Sequence, residues 1–581
     1  MRLIISSFLR TLRERDEFDR LLPDLLSAMG YVPVARPQTG VRQYGVDLPV
    51  VGKNPVDGVE ELVLLTIKQG DLGRQDWDGS AQAVRQSLDE IIEVYLPRDL
   101  EPAHQPLRKR IILATTGDLK QDTQRNWTAY IEKRANEAQF EFWGGDKVAD
   151  LIERHMLDEH VFVEDDRTNL RKALAFAGEQ EYSLADLERL LRRQLGLGKS
   201  GELDGTVKDG KPLVKAITRL NLALHMFAKA AQDAGDTRQT LVAAELFMLK
   251  TWHRIQSSSD PSHRQVRESF MRLSQTYMDV AMAYVRKMAP YMMVRDGMSG
   301  YTRESAEYGV VLLEHVGLVA TTGLAIFCLA DDSEHKTACG IADLLAAMLA
   351  NMPATASPRL DRNAIDVSLA LLLLTMTNRH AAALGWLSEL CGRLLFSFRR
   401  RLDFPISSDS FDDLVEFKGG QHDELIATMM GASWMSAYVL LWCVALGMER
   451  EYANAVELLR KEVPQVVPQV WHPDSESEKR MFFGPIHTTT GNTEIMEFPS
   501  SAEALRERIN KFLEHDPITS FSEDGQVGFH PMEMIAFRHY RTPFPVKILY
   551  GLSRVGREDA AEDSAEQPEA SPGGREDTRL I

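Results

Sequence analysis

The chain has 581 residues, 44% hydrophobic and 26% charged, which is long enough for several domains with their own cores and ordinary for a folded globular protein. Its formal charge of -18 excludes a protein that holds nucleic acid by overall basicity. Over residues 1–165 there are 21 Lys and Arg against 29 Asp and Glu, so phosphate contacts there have to come from local clustering.

The opening segment MRLIISSFLRTLRERDEF runs into a charged helix with no small-residue cleavage site, so no signal peptide is expected. From Leu12 to Met29 the apolar residues Phe18, Leu21, Leu22, Leu25, Leu26 and Met29 recur at helical spacing, and Gly30 stops the helix. A strand is expected over Tyr31–Ala35. Residues 44–72, YGVDLPVVGKNPVDGVEELVLLTIKQGDL, read as two antiparallel strands joined by a turn around Asp57-Gly58. Side chains alternate across a strand, so Thr66 and Lys68 share one face and Leu65 and Ile67 the other. A carboxylate, Asp47, thus lies on one strand and an ammonium, Lys68, at the end of the next.

A helix beginning near Trp77-Asp78-Gly79-Ser80 and running to about Tyr95 carries Gln82, Arg85 and Gln86. Arg110–Ala114 then forms a strand ending in Thr115-Thr116-Gly117, followed by a helix over residues 121–136, a strand at Gln139–Trp143, a Gly144-Gly145-Asp146 turn and a short helix in KVADLIERHML.

Asp47, the Thr66-Ile67-Lys68 run and the order of elements over residues 12–160 together resemble the PD-(D/E)XK nuclease superfamily, and within it the Mrr-like branch with its Gly-x-Asp strand. The resemblance implies an α/β restriction-endonuclease-like domain, a mixed central sheet flanked by helices, that hydrolyses DNA phosphodiesters with Mg²⁺ or Mn²⁺. In the family an Asp, and a Glu or Gln two residues before the Lys, hold the metal and a water; here Thr66 occupies that second position. Carried over, Asp47 and the Ile67 carbonyl would ligate the metal, Thr66 or Asp71 would reach it through water, and Lys68 would orient the attacking water. The family's aromatic-acidic pair on the first helix matches Phe18-Asp19, and its helix glutamine matches Gln82. Without the resemblance, Asp19 and Gln82 are solvated helix residues, Asp71 a turn residue and Lys68 an edge-strand lysine.

Residues 1–165 form the nuclease-like domain in this reading, and 166–212 a helical connector ending in the Gly-rich linker GLGKSGELDGTVKDGKP, with a capped helix start at Ser183. GLGKSG is not a phosphate-binding loop, because Arg193 stands where the first glycine is required. Residues 213–460 read almost entirely as helices, expected to build a large all-α array or bundle. Its most apolar runs, Gly309–Ala330 and Gly431–Met448, are read as buried core helices and no membrane contact is expected. Four cysteines, Cys328, Cys339, Cys391 and Cys443, contain no Cys-x-x-Cys pair, which argues against a zinc site or disulfide framework and for a cytoplasmic location.

Residues 461–551 mix Pro-rich loops with one helix near Ala502–Leu513; His472, His487, His530 and His539 lack ligand spacing and read as structural. Residues 552–581 are acidic and aromatic-free and are expected to be disordered. The layout resembles bacterial anti-phage effectors, which implies DNA as a partner of the first domain and sensing, self-association or a protein partner for the helical region. Two other readings stay open: a degenerate nuclease fold serving as a DNA- or protein-binding module, and a helical scaffold with an α/β docking platform.

Overall fold

A computed structural model describes residues 5–6, 9–10, 12, 18–34, 44–54, 57–80, 83–156, 164–179, 183–301, 305–329, 335–400, 405–408, 411–416, 431–474, 477, 480–485, 492–515 and 531–553. The chain divides into two compact units, one of residues 1–247 with 257–276 and the other of 248–256 with 277–581. Gln82, His487, His530 and nearly all of the acidic tail lie outside the described residues.

The first unit is built on a five-stranded mixed sheet in the order β1 (Val32–Pro33), β2 (Leu48–Lys53), β3 (Glu60–Lys68), β4 (Arg108–Thr115) and β5 (Gln139–Trp143). β1, β2 and β3 are antiparallel neighbours, while β3, β4 and β5 run parallel through helical crossovers. Every residue of β3 from Glu61 to Ile67 is buried, because the strand is central and covered on both faces; this is why its sequence is a continuous apolar run rather than an alternation.

One face packs against α2 (Arg74–Asp78), α3 (Val84–Glu90) and α4 (Gln121–Arg134) through Leu62, Leu64, Ile111 and Leu113. Trp77 anchors that layer, edge-on to Trp127 at 6.5 Å and to Tyr130 at 5.8 Å. α1 spans Asp19–Ala28, with Phe18 as its cap and Pro23 inside it, and residues 13–17 of the expected helix lie outside the described residues. The expected strand at Tyr31–Ala35 shrinks to two residues.

The single helix expected from Trp77 to Tyr95 is instead two. α2 ends at Gly79, and α3 opens four residues after Ser80 and continues as a wider helical turn over Ile91–Asp99. Gly79 caps α2, its N–H donating to the Gln75 carbonyl, and a side chain there would meet that carbonyl. α5 (Gly145–His155) closes the α/β layer, and α6 (Glu164–Ala175), α7 (Ala185–Leu195) and α8 (Lys211–Asp233) follow it within the unit. The expected Ser183 cap does not form: Leu184 is the capping residue, at φ 56°, and makes no side-chain cap bond. α9 (Thr237–Gln256) and α10 (Arg264–Met292) carry the chain into the second unit.

That unit is mostly helical. It contains α11 (Ser305–Leu329), α12 (His335–Asn351), α13 (Asn363–Met376), α14 (His380–Arg400), α15 (Phe411–Glu416), α16 (Trp434–Ala445), α17 (Glu449–Glu462), α18 (Ala502–His515) and α19 (Pro531–Tyr540). Twelve consecutive residues of α13, Asn363–Leu374, are buried, as a helix apolar on all sides must be. α11 is long and apolar enough to cross a membrane, but 78% of its apolar window is buried against the rest of the protein. Three short strands, β6 (Ala432–Ser433), β7 (Val467–His472) and β8 (Asn492–Ile495), form a small sheet, and α19 is a helix the sequence pattern did not single out.

A buried carboxylate from a loop starts α16: Asp361 accepts bonds from Ser433 Oγ at 2.7 Å and from the backbone N–H groups of Trp434 and Met435 at 2.7 and 3.1 Å. Those are N–H groups that the first turn cannot satisfy internally.

Candidate functional site

The β2–β3 hairpin does what its sequence suggests, with one local departure. Leu48 pairs with Leu65 and Val50 with Val63, so Asp47 falls one residue before β2, at the level where β3 reaches Thr66 and Ile67. There the ladder shifts: the Asp47 N–H donates to the Leu65 carbonyl at 2.9 Å, and Asp47 Oδ2 accepts from the Ile67 backbone N–H at 2.7 Å. The side chain takes the place a main-chain carbonyl would have in a regular ladder and holds the acid against β3.

Gly45 makes this turn possible. It adopts φ 79°, and a side chain on it would collide with the Ser87 carbonyl of α3, so glycine is required for both conformation and space. The Gly-x-Asp spacing is therefore a packing requirement here as well as a motif.

Thr66 is fully buried, and its Oγ1 has no hydrogen-bond partner among the described residues. An orphaned buried hydroxyl is uncommon and costs about 1–3 kcal/mol. Lys68 ends β3, half-buried, and among the described residues its ammonium makes no ion pair, with Asp47 or with any other carboxylate. It lies beside Thr115 at the carboxyl end of the parallel pair β3–β4, the edge of an α/β sheet where ligands bind.

The segment following Lys68 is tied to the end of β4. Thr115 Oγ1 donates to the Gly70 carbonyl at 2.6 Å, and the Gly70 N–H donates to Thr116 Oγ1 at 3.0 Å. Leu72 and Lys120 continue the pairing, Leu72 N–H to the Asp118 carbonyl and Lys120 N–H to the Leu72 carbonyl. Asp71 belongs to this tie: its Oδ1 accepts the Asp118 N–H at 3.0 Å, and the rest of the side chain is exposed. Gly117 is packed against the Gly70–Asp71 backbone, which a Cβ would strike. The Thr-Thr-Gly strand end noted in the sequence is thus the latch that positions the chain after Lys68.

Asp19 sits on the first turn of α1, half-buried, with its Oδ1 sealed from solvent. Arg85 and Gln86 are exposed on α3, with Arg85 paired to Asp89. Among the described residues no three His, Cys, Asp or Glu side chains gather as a metal-binding group, so Asp19, Asp47 and Asp71 do not converge.

At the opposite end of β3 lies a buried carboxylate that sequence reasoning missed. Glu61 is fully buried, accepts from Tyr31 Oη at 2.7 Å and Asn54 Nδ2 at 3.1 Å, and pairs with Arg108 at 2.8 Å and Arg110 at 2.6 Å. Burial pushes its carboxyl up, but the Tyr31 and Asn54 hydrogen bonds and the arginine charges outweigh burial and hold it below the ordinary glutamate range. Seven strand positions along from it, roughly 23 Å at about 3.3 Å per residue, is Lys68, so Glu61 lies at the far end of the strand from that lysine.

In the second unit His472 is paired with Glu494 at 2.9 Å, and burial, with Arg538 and Lys250 nearby, drives His539 well below the ordinary histidine range. No protein-family model matches the chain, and neither the curated proteins nor the solved structures contain a significant match to it.

Proposed function

We propose that the first unit is a restriction-endonuclease-like domain that binds DNA at the carboxyl edge of β3 and hydrolyses a phosphodiester with Asp47 and Lys68, in a protein that acts against foreign DNA. The observation that carries the reading is the Asp47 carboxylate held 2.7 Å from the Ile67 N–H, one residue before Lys68, whose ammonium makes no ion pair among the described residues. The mixed sheet, with the acid and the lysine on an antiparallel hairpin and helical crossovers after it, agrees with the layout the resemblance implies.

The donors present fit a loosely held, largely hydrated Mg²⁺ or Mn²⁺. An oxygen of Asp47, the Ile67 carbonyl and the orphaned Thr66 hydroxyl are all hard oxygen ligands, and Mg²⁺ is commonly held through one or two carboxylates with water completing its shell. Such an ion offsets charge on the scissile phosphate and makes a bound water more acidic. Lys68 attracts the phosphate by charge and orients the attacking water by donating to it. The Thr115 and Thr116 latch fixes the main chain on which that lysine rides.

A second reading rests on Thr66. With a hydroxyl in the acid's place and Asp71 used as a loop tie, the same edge can hold a DNA phosphate without cutting it, as a recognition module. Incubating the full-length protein with plasmid and linear DNA in Mg²⁺ or Mn²⁺ separates the two: cleavage lost in Asp47→Ala and Lys68→Ala supports the nuclease, and binding weakened by Lys68→Ala with no cleavage supports the module.

A further inference from the structure

Cys391 on α14 and Cys443 on α16 come from different helices of the second unit and place their sulfurs 3.6 Å apart, hydrogen-bonded to one another. Both are buried, Cys391 on a helix whose Leu387, Leu390 and Leu394 are also buried, and Cys443 on one buried from Met435 to Val444. A disulfide needs sulfurs about 2.05 Å apart, a closure of about 1.5 Å. The hydrogen bond with Cys391, together with burial, holds the Cys443 thiol well above its ordinary range.

We propose that Cys391 and Cys443 are a reversible dithiol–disulfide pair that answers to hydrogen peroxide, an oxidant close to water in size and therefore able to reach a buried pair. The Cys391 sulfur attacks one peroxide oxygen as its proton passes to water; the O–O bond breaks, leaving a sulfenic acid on Cys391 and hydroxide, which takes a proton to become water. The Cys443 sulfur then gives up its proton and attacks the Cys391 sulfur, the S–O bond breaks, and a second water leaves. Two thiols are oxidised to one disulfide and one peroxide is reduced to two waters. In a reducing compartment the pair stays as thiols, so the bridge forms only under oxidative challenge. Once formed it closes residues 391–443 into a covalent loop and joins α14 to α16, which stabilises the unit by restricting its unfolded chain.

The test uses the full-length protein carrying Cys328→Ser and Cys339→Ser, which removes the two partly exposed thiols. After peroxide treatment and quenching, intact mass is expected to fall by two hydrogens. A non-reducing peptide map should join the Cys391 and Cys443 peptides, and the unfolding temperature should rise until dithiothreitol reverses it. Adding Cys391→Ser or, separately, Cys443→Ala should abolish all three changes. Two thiols still alkylatable after unfolding, sulfinic acid without a crosslink, or a crosslink with no shift in unfolding temperature would each overturn the proposal.

Discussion

Asp47 Oδ2 accepts the Ile67 backbone N–H at 2.7 Å, so the acid of the hairpin is bonded to the strand that carries Thr66 and Lys68. A charge-assisted bond of this kind contributes about 1.5–3 kcal/mol locally. Asp47→Ala should make the Ile67 amide exchange on the order of 10–100-fold faster, read by hydrogen exchange with fragment resolution, while amides in the middle of β3 such as Val63 stay protected. Unchanged protection at Ile67 would remove this bond from the account.

Thr66 Oγ1 is buried and orphaned, so an isosteric apolar residue relieves a cost rather than creating one. Thr66→Val is expected to leave the sheet as stable or up to about 1 kcal/mol more stable by hydrogen exchange of β3, and to weaken Mn²⁺ binding measured by calorimetry. Destabilisation of β3 would mean that the hydroxyl has a partner.

The latch offers a separate handle on Lys68. Thr116→Val removes the acceptor of the Gly70 N–H while keeping shape, and should cost about 1 kcal/mol at the β3–β4 edge. On the nuclease reading it should also lower DNA cleavage roughly 10-fold through the misplaced lysine, with DNA affinity changed less than by Lys68→Ala. A loss of stability with cleavage untouched would leave Thr116 a purely structural residue.

Glu61 gives a pH signature distinct from the site. Its folded carboxyl lies below the ordinary glutamate range, so its stabilising contribution is present above the unfolded value, about 4.3, and is lost as pH falls through the lower folded value. Glu61→Gln should therefore cost about 3 kcal/mol at neutral pH, seen as roughly 100-fold faster exchange of β3 and β4 amides. The difference from the wild-type protein should shrink as the pH is lowered below about 4. A difference independent of pH would mean that the charge on Glu61 contributes little.

Much of the site was legible because strand periodicity and short spacings carry it. The hairpin, the facing of Thr66 and Lys68, the Thr-Thr-Gly strand end and the strand at Gln139–Trp143 all follow from local pattern. What the sequence could not supply was register and packing. The one-residue ladder shift that turns Asp47 onto the Ile67 amide depends on Gly45 meeting Ser87, a contact 42 positions away in the chain. Nothing local to Asp71 shows that Asp118 presents its N–H to it. Glu61 passed unnoticed at the head of an apolar run, since Arg108 and Arg110 reach it only through the parallel register of β3 with β4.

The most direct measurement is cleavage of plasmid DNA by the purified full-length protein in Mg²⁺ or Mn²⁺, beside Asp47→Ala and Lys68→Ala. Cutting by the wild-type protein is expected, abolished by chelation and reduced at least 100-fold in either variant. Cutting that persists undiminished in both variants would contradict the assignment of Asp47 and Lys68.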